Sequence, residues 1–396
     1  MTEGEILAVR QRDGMVEFDR HMQAVQREEL VLKLPRSVSH AGGLGRSVSF
    51  AQLIATWAAA CRERRILTTL PVSGRDDIDR FASRLHGLAA AYYASCVAAD
   101  DGVTNLRRSI LEAAAPRISA MSERLYESAA RGPLTELIFV HHARHQFHSA
   151  VYRRRPAPPD LMDPERHGEL IVSPREMNAL LVNVLRAQRL PRADFGRIAP
   201  LLKEGSYPLG TLLHETFRNT AEHAYLDEAG RTPRRGLRCI VIAARNADPK
   251  ELNPRMLVSA QHPELEEYFG RLRERATLGQ RRLVHMLELS VLDTGPGFTA
   301  TIAGQAGPED SDAGRVALCF VDHVSRKGGP NSGLGLGRVL SHLRTLGGFL
   351  RIRTSTTEAF FSPFSQASGQ SPAPHVAGDL PKAVGTALTM AVPLEV

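Results

Sequence analysis

The chain has 396 residues, of which 43% are hydrophobic and 23% charged, and its formal net charge is +7. This length is sufficient for two or three domains with cores of their own, and the composition is that of an ordinary globular protein. The N-terminus shows no signal peptide, and no stretch approaches the roughly 20 apolar residues of a membrane span, so we expect a cytoplasmic protein without membrane contact.

The excess of basic charge raises the question of a nucleic-acid or phosphate partner. Most of the basic residues are arginines spread along the chain, and no Lys/Arg block with interleaved aromatic residues occurs. Nucleic acid is therefore a disfavoured partner, although the charge leaves it open. The four cysteines are far apart and form no CxxC pair, which indicates reduced, mostly buried thiols and neither a disulfide framework nor a zinc site.

Residues 1–160 are predicted to form an N-terminal α/β domain, because strand and helix patterns alternate along them. Apolar residues recur at helical spacing from Phe50 to Cys61, and Ser49 is the predicted N-cap of that helix, after a Gly/Ser loop. The predicted strands are Glu29–Pro35 and Ile66–Val72, and the further predicted helices are Asp76–Ala98 and Asn105–Ala130. Apart from one histidine cluster, no motif in this region indicates a catalytic or ligand-binding site.

That cluster is the stretch HHARHQFH, with His141, His142, His145 and His148. On a helix, His141 and His145, or His145 and His148, would share a face, as metal ligands can. A phosphoacceptor histidine is a second interpretation, but the acidic residue and the proline that usually follow an acceptor histidine are missing. Ordinary polar histidines on a helix are the favoured interpretation.

The stretch Tyr152–Gly168 is rich in proline and charge, which indicates a linker and a domain boundary near residue 160. The domain that follows, residues 161–396, is predicted to begin with a helix that ends at Gln188, because Ser173 and Glu176 form a capping-box pattern. The next predicted elements are the strand Leu237–Ala244, a helix around Glu264–Arg275 within an insertion, and the buried strand His285–Leu292.

The stretch Leu212–Tyr225, LLHETFRNTAEHAY, is predicted to be a two-faced helix. Its polar sector holds Glu215, Asn219, Glu222 and His223, and its opposite side holds Leu213, Phe217, Thr220 and Ala224. A carboxylate and an amide one turn apart are costly to bury unless they have polar partners. A hydrated Mg²⁺ ion with a triphosphate would be such a partner. The alternative is a surface helix with a solvated polar face.

The strand His285–Leu292 leads into Asp293-Thr-Gly-Pro-Gly-Phe298. A carboxylate at the end of a strand can accept the exocyclic amine of adenine, and the two glycines let the backbone approach a flat ring closely. A DxGxG motif alone is weak evidence, since Asp and Gly also form ordinary turns.

Three glycines, Gly333, Gly335 and Gly337, begin a predicted helix in the stretch PNSGLGLGR. Exposed backbone N–H groups at the N-terminus of a helix form a phosphate site. The helix is predicted to end at Leu346, with Gly347 as its C-cap.

Two further strands complete the pattern. Phe349–Ser355 alternates, which predicts that Leu350, Ile352 and Thr354 face inward and that Arg351 and Arg353 face outward. The last predicted strand, from Leu388 to Leu394, follows the pair Gly385-Thr386. Between the two lies a Ser/Pro/Gly-rich insertion, Ser362–Pro381, which is predicted to be a mobile loop.

Together, these motifs resemble the GHKL ATP-binding superfamily: ExxxN on a helix, DxGxG after a strand, GLGLG at a helix start and GT before a last strand. The superfamily includes histidine kinases, heat-shock chaperone ATPases, gyrase B subunits and mismatch-repair ATPases. The resemblance covers roughly residues 170–396 and implies a mixed sheet with helices on one face. The expected fold class is therefore α/β, with a C-terminal two-layer sandwich of GHKL (Bergerat) type and a separate N-terminal α/β domain.

The resemblance implies ATP and Mg²⁺ as ligands, with Asn219 on the metal ion, Asp293 on adenine and Thr386 beside Asp293. The glycines of the two glycine motifs would surround the nucleotide. Gly295 and Gly297 would shape the base pocket, and Gly333, Leu334, Gly335 and Gly337 would surround the phosphates.

The segment Phe298–Ser332 would be the ATP lid, and its Lys327 or Asn331 could reach the γ-phosphate. A solvent-exposed lysine and a turn asparagine explain these two residues equally well. In the ATPase branches of the superfamily a glutamate at the position of Glu215 polarises the attacking water, whereas in the kinase branches another side chain attacks and the glutamate matters less.

Three features depart from the superfamily pattern. No acceptor-histidine motif precedes the domain, and no transducer domain is expected after Val396. FFSPF, at Phe360–Phe364, resembles the phenylalanine-rich box of histidine kinases, but it follows the glycine-rich motif instead of preceding it. We interpret it as a coincidence.

Three functions remain open. The leading hypothesis is a Mg·ATP-binding protein that hydrolyses ATP slowly and uses lid closure to signal to its N-terminal domain. The second is a phosphotransferase acting on a partner protein or an internal histidine, and the third is an ATP-dependent binding module without turnover. An unidentified protein partner is expected at the N-terminal domain, and dimerisation is common among relatives, so a homodimer is one expected assembly.

Overall fold

The computed structural model of the chain describes residues 5–27, 29–38, 43–122, 134–140, 162–163, 169–170, 173–188, 190, 192–202, 207–224, 236–250, 252, 263–297, 311–320, 335–364 and 374–394. Within these ranges no helix is both long and apolar enough to cross a membrane.

Short strands and helices alternate through the first 122 residues. The strands are β1 (Ile6–Ala8), β2 (Val31–Leu34), β3 (Arg65–Thr68) and β4 (Cys96–Ala98), and the helices are α1 (Met15–Ala24), α2 (Arg46–Ala60), α3 (Arg75–Ala82), α4 (Leu85–Tyr93) and α5 (Arg107–Ser122). The strands form a parallel N-terminal sheet in the order β1-β2-β3-β4. Leu32, Leu34 and Ile66 are buried while Lys33 is exposed, so one face of this sheet meets the helices. The α/β character predicted for this region is confirmed.

The predicted N-cap of α2 is wrong. Helix α2 begins at Arg46, and Gly45 is its N-cap with φ of 72°. Ser49 therefore lies inside the helix, one turn beyond its start. Only glycine adopts this left-handed conformation without strain, and a β-carbon at Gly45 would also overlap the side chain of Thr389.

The single helix predicted at Asp76–Ala98 is also wrong, because this stretch forms α3, α4 and β4. The helical conformation is interrupted at Arg84, which is extended and lies between the two helices. Helix α4 then folds back against α3 so closely that a β-carbon at Gly87 would overlap the carbonyl group of Phe81. Helical periodicity continues across the break because both helices bury an apolar face in the same core.

The remaining strands are β5 (Leu134–Val140), β6 (Met162–Asp163), β7 (Glu169–Leu170), β8 (Leu237–Ala247), β9 (Val284–Asp293), β10 (Phe349–Ser355), β11 (Thr357–Phe361), β12 (His375–Ala377) and β13 (Ala383–Pro393). Seven of them form a C-terminal sheet in the order β12-β11-β10-β13-β9-β8-β5, and β6 pairs with β7. The strands predicted within residues 237–244, 285–292, 349–355 and 388–394 are confirmed.

The mixed sheet implied by the resemblance is not observed in the part of the chain that the structure describes, because every neighbouring pair of described strands in the C-terminal sheet is antiparallel. Strands β9 and β10 do run in the same direction. The last strand, β13, lies between them and pairs with both, so no parallel pair forms. The insertion of β13 also places Thr386 directly opposite Asp293.

The helices of the second half are α6 (Pro174–Ala187), α7 (Arg192–Ile198), α8 (Pro208–Ala224), α9 (Pro263–Leu278), α10 (Asp312–Leu318) and α11 (Gly335–Thr345). Helix α8 contacts both α6 and α11, and these three helices cover one face of the C-terminal sheet. The capping box of α6 is confirmed, since Ser173 and Glu176 bond each other's backbone N–H. The C-cap of α11 is confirmed as well, with φ of 64° at Gly347.

The opposite face of the C-terminal sheet is covered by α2, which contacts β13, β9 and β8. Helix α2 is buried on nearly all sides, in agreement with its apolar composition. The molecule is thus built in successive layers: the N-terminal sheet, the helices α2 and α4, the C-terminal sheet, and the helices α6, α8 and α11. One hydrophobic core runs through these layers.

This cover explains why the outward orientation predicted for Arg351 and Arg353 does not expose them. Both are 2% exposed, because they lie under α2 instead of facing water. Arg351 Nε donates to Glu358 at 2.6 Å, and Arg353 donates to backbone carbonyls, among them that of Ser355 at 2.6 Å. Buried charges require such partners, and β11 supplies the carboxylate.

The chain crosses from one sheet to the other before the predicted linker. Strand β5 precedes residue 160, yet it pairs with β8 at the edge of the C-terminal sheet. Leu85 N, at the start of α4, donates to Glu136 in β5 at 3.0 Å. The position of the domain boundary near residue 160 stays a prediction. Of the insertion Ser362–Pro381, the described residues include β12, which extends the sheet.

Candidate functional site

A cleft lies between helix α8 and the ends of strands β9 and β13. The residues that line it come from three of the four sequence motifs and from the sheet floor, and they are Thr216, Asn219, Thr220, Val291, Asp293, Thr386 and Leu388. The structure therefore brings Asn219, Asp293 and Thr386 to one place, although the sequence separates them widely.

Helix α8 is two-faced, as predicted, but its polar sector is not uniformly solvated. Leu213 and Phe217 are fully buried and Asn219 is half-buried. Glu215 is buried as well, which excludes a fully solvated polar face. The hydroxyl groups of Thr216 and Thr220 donate to carbonyls of their own helix, so these two cleft residues are satisfied locally.

Asp293 ends β9 and lies in register with Thr386 on one side and Arg238 on the other. Its Oδ1 accepts from Gly295 N at 3.0 Å. Burial raises the pKa of Asp293 from its ordinary value of 3.8 to about 7, against the opposing effects of the Gly295 N–H, the Arg238 guanidinium and the Thr386 N–H. Arg238 is itself buried and lies over the ring of Phe217, 5.6 Å from its centroid.

Two glycines beside Asp293 are required by their backbone geometry. Gly297 has φ of 82°, and a β-carbon there would lie 2.7 Å from Thr354 Oγ1. Gly385 has φ of 71°, and a β-carbon there would overlap the carbonyl oxygen of Asp293. Thr354 Oγ1 donates to Gly385 O at 3.1 Å. The backbone of the GT motif is thus held directly against the end of β9.

Glu215 lies against the start of the glycine-rich helix α11. A β-carbon at Gly335 would be 3.1 Å from Glu215 Oε2 and 3.8 Å from Asn219 Oδ1. Arg338 Nη1 is 3.6 Å from Glu215 Oε1. Gly337 is in the first turn of the same helix. The structure therefore joins the ExxxN and GLGLG motifs at one end of the cleft.

Basic neighbours lower the pKa of Glu215. His214 contributes most, with its Nδ1 at 3.7 Å from Glu215 Oε1, and Arg218 and Arg338 add smaller effects. Burial alone would raise the pKa, and these groups outweigh it. Glu215 is consequently ionised at neutral pH.

Several predicted residues lie outside the described part of the chain. These are Lys327, Asn331, Gly333, Leu334 and the histidine cluster His141–His148, together with the side chains of Glu222 and His223. Of the predicted lid Phe298–Ser332, residues 311–320 are described and include helix α10. Asp312 in α10 accepts from Ser355 Oγ at 2.8 Å and Thr356 Oγ1 at 2.9 Å, which anchors this helix to the turn between β10 and β11.

The structure also adds residues that the sequence did not single out. Arg238 and Thr354 adjoin Asp293 and the GT motif, and Tyr93 Oη donates to Thr294 Oγ1 within the DxGxG motif at 2.7 Å. No local signal could identify them, because each acts through strand register or through a contact distant in sequence. Among the described residues, no cluster of three or more His, Cys, Asp or Glu side chains could hold a metal ion.

Comparisons with protein-family models, with curated proteins and with solved structures return no match to this chain.

Proposed function

We propose that the protein binds Mg·ATP in the cleft beneath α8, as a GHKL-type ATP-binding protein, and hydrolyses it slowly. The observation that carries this proposal is the convergence of Asn219, Asp293 and Thr386 on one cleft, with the start of α11 beside Asn219 and Glu215. These residues come from all four motifs of the resemblance. Their assembly in one place is what the proposal requires of the fold.

The residues present suit the chemical parts of a magnesium nucleotide. Asp293 offers a buried carboxylate that can accept an amine, beside backbone that glycines at 297 and 385 keep close. At the other end, Gly335 leaves space next to Glu215 and Asn219 that a side chain would fill, at the N-terminus of a helix where anions are favoured.

Asn219 would contribute one amide oxygen to Mg²⁺, an ion that prefers oxygen ligands and retains several waters. When bound, the ion would neutralise phosphate charge. Thr386 would lie beside the base with Asp293. The absence of a multi-carboxylate cluster among the described residues does not conflict with a site of this kind.

Glu215 is the residue that we assign as general base. Its lowered pKa keeps it ionised at neutral pH, so it can accept a proton from water. The same lowering makes it a weak base, because general-base catalysis is most efficient when the pKa is near the working pH. A base of this strength is compatible with the slow hydrolysis that we propose.

A nucleotide-dependent switch without turnover is the second candidate, and one observation favours it. Arg338 Nη1 lies 3.6 Å from Glu215 Oε1, so the carboxylate is partly engaged before any substrate arrives. In either case the N-terminal unit, residues 1–160, would contact an unidentified protein partner, and the C-terminal unit, residues 161–396, would hold the nucleotide. Phosphotransfer to a partner or an internal histidine is the third outcome that experiment must distinguish.

The test is incubation of the purified protein with Mg²⁺ and γ-labelled ATP, with Asp293→Asn as the control. Label released as inorganic phosphate, and absent in the control, supports the ATPase. Label retained on the protein identifies a kinase and directs attention to His141–His148. Label left entirely on ATP favours the switch if nucleotide still binds, and contradicts all three functions if it does not.

A further inference from the structure

Two N-terminal helices reach the two backbone segments that form the adenine end of the cleft, by which we mean Asp293–Gly295 and Val384–Thr386. On the first segment, Tyr93 at the end of α4 donates from Oη to Thr294 Oγ1 at 2.7 Å. The same Oγ1 accepts from Leu237 N at 2.9 Å and donates to Leu237 O at 3.3 Å. One donated and two accepted bonds use the full capacity of a hydroxyl group.

The second segment is held by α2. Gln52 Nε2 donates to Val384 O at 3.2 Å and to Arg353 O at 3.0 Å. Thr56 Oγ1 accepts from Val384 N at 3.0 Å. Both backbone polar groups of Val384, the residue before the GT motif, are therefore bound by side chains of one N-terminal helix.

These contacts occur where the backbone hydrogen-bond ladder of the sheet is interrupted. The register between β10 and β13 shifts between Thr354 and Ser355, which interrupts the ladder beside Val384. Buried backbone groups require partners, and here polar side chains of an otherwise apolar helix supply them. The N-terminal layer thus fixes the backbone on both sides of Asp293 and Thr386.

We propose that Tyr93 is a positioning residue for adenine binding, and that α4 and α2 couple the N-terminal unit to the affinity for adenine nucleotides. This inference rests on the proposed function. Tyr93 acts through Thr294, whose neighbour Asp293 would contact the base. A partner that displaces α4 or α2 would change nucleotide affinity, and by reciprocity nucleotide would change the affinity for that partner.

The first test compares Tyr93→Phe with wild type in calorimetric titrations with ADP and with inorganic tripolyphosphate. Removing this one part-buried hydrogen bond at the adenine end should weaken the binding of ADP by about fivefold to tenfold. Tripolyphosphate, which has no base, should bind as in wild type. A merely structural role would lower the melting temperature of the free protein without this selectivity.

The matched control is Tyr268→Phe. Tyr268 is a buried tyrosine whose Oη also donates one hydrogen bond, in its case to the backbone carbonyl of Gly347 at 3.3 Å, but it lies on α9 outside the cleft. This variant should keep wild-type affinity for both ligands. Thr294→Ser, which retains the hydroxyl, should also stay close to wild type, whereas Thr294→Val should lose at least as much ADP affinity as Tyr93→Phe, because it also removes the two bonds to Leu237.

A double-mutant cycle completes the test. Tyr93→Phe combined with Thr294→Val should bind ADP no more weakly than the weaker single variant, because both remove the same bond. Unchanged ADP affinity in Tyr93→Phe, equal losses of ADP and tripolyphosphate, or fully additive losses would each overturn the inference while leaving the proposed function intact. Failure of wild type to bind ADP would instead overturn the proposed function, and the inference with it.

Discussion

Glu215 and Arg338 form an ion pair between helices α8 and α11, with Oε1 and Nη1 at 3.6 Å. The side chain of Glu215 is 7% exposed, whereas that of Arg338 is 55% exposed. Water therefore screens the pair, and its contribution to stability is small. Arg338 lies in the first turn of the glycine-rich helix, where anions are favoured, so a triphosphate could attract it away from Glu215.

Replacing Glu215 should separate hydrolysis from binding. We expect Glu215→Gln, and likewise Glu215→Ala, to reduce phosphate release by about 100-fold or more, the usual effect of losing a general base. The affinity for ADP should change little, because Asp293 and Asn219 are untouched. Phosphate release in single-turnover experiments measures the first quantity and calorimetry the second. Phosphate release at the wild-type rate in these variants would contradict the assignment of Glu215 as general base.

Arg338→Gln should weaken ATP binding by about tenfold, since hydrogen bonds to charged groups exceed neutral ones in strength. Arg344→Gln is the matched control, because Arg344 is an exposed arginine in the last turn of the same helix. Equilibrium titration with ATP at low ionic strength checks both variants. If Arg338→Gln and Arg344→Gln bind ATP with equal affinity, Arg338 does not contact the phosphates.

Adenine binding should depend on pH through Asp293. Its pKa is raised to about 7, so the carboxyl group loses its proton as the pH rises through 7 and becomes an acceptor for an amine. Affinity for adenosine, which has no phosphate to titrate, should increase between pH 6 and 8. Fluorescence titrations measure this, and Asp293→Asn, which should not bind adenosine at any of these pH values, is the control for signal that does not come from the site. A flat wild-type profile would contradict the role of Asp293.

The raised pKa of Asp293 also predicts how the stability of the free protein depends on pH. Because the folded pKa of Asp293 lies above the ordinary value of 3.8, the folded state holds a proton that the unfolded chain has lost between about pH 4 and 7. The contribution of Asp293 is therefore most favourable below pH 4 and is lost as the pH rises through 7. Urea unfolding of wild type and Asp293→Asn should show this difference, and parallel pH profiles would contradict it.

Gly385→Ala should destabilise the protein and abolish adenine binding. The new β-carbon would overlap the carbonyl oxygen of Asp293, in addition to the strain of a positive φ. Gly102→Ala isolates that strain, since Gly102 has φ of 71° with no atom within 4 Å of the added carbon. In the control, the left-handed conformation alone should lower the free energy of unfolding by about 1–2 kcal/mol. Urea unfolding compares the two, and equal losses would show that the close approach is unimportant.

Much of the local structure was predictable because its causes are local. The capping box at Ser173 and Glu176, the C-cap at Gly347 and the helix that carries Glu215 and Asn219 follow from propensity and periodicity within a few residues. The motifs also identified Asp293 and Thr386, which the structure brings into one cleft with Asn219.

The remaining features depend on contacts between distant parts of the chain. Arg351 was predicted to face outward, but α2 covers that face of the sheet. The antiparallel sheet depends on where β13 inserts, and neither β9 nor β10 encodes that position alone. The bond from Tyr93 to Thr294 joins residues 201 positions apart and carries no sequence signal.

The proposed function requires Asp293 and Asn219 to belong to one adenine-nucleotide site. A calorimetric titration of the wild-type protein with Mg·ADP, repeated with Asp293→Asn and Asn219→Ala, tests it most directly. We expect saturable binding at one site per chain in wild type, loss of binding in Asp293→Asn, and Mg²⁺-dependent weakening in Asn219→Ala. Absence of binding in wild type, or equal affinity in Asp293→Asn, would contradict the proposed function.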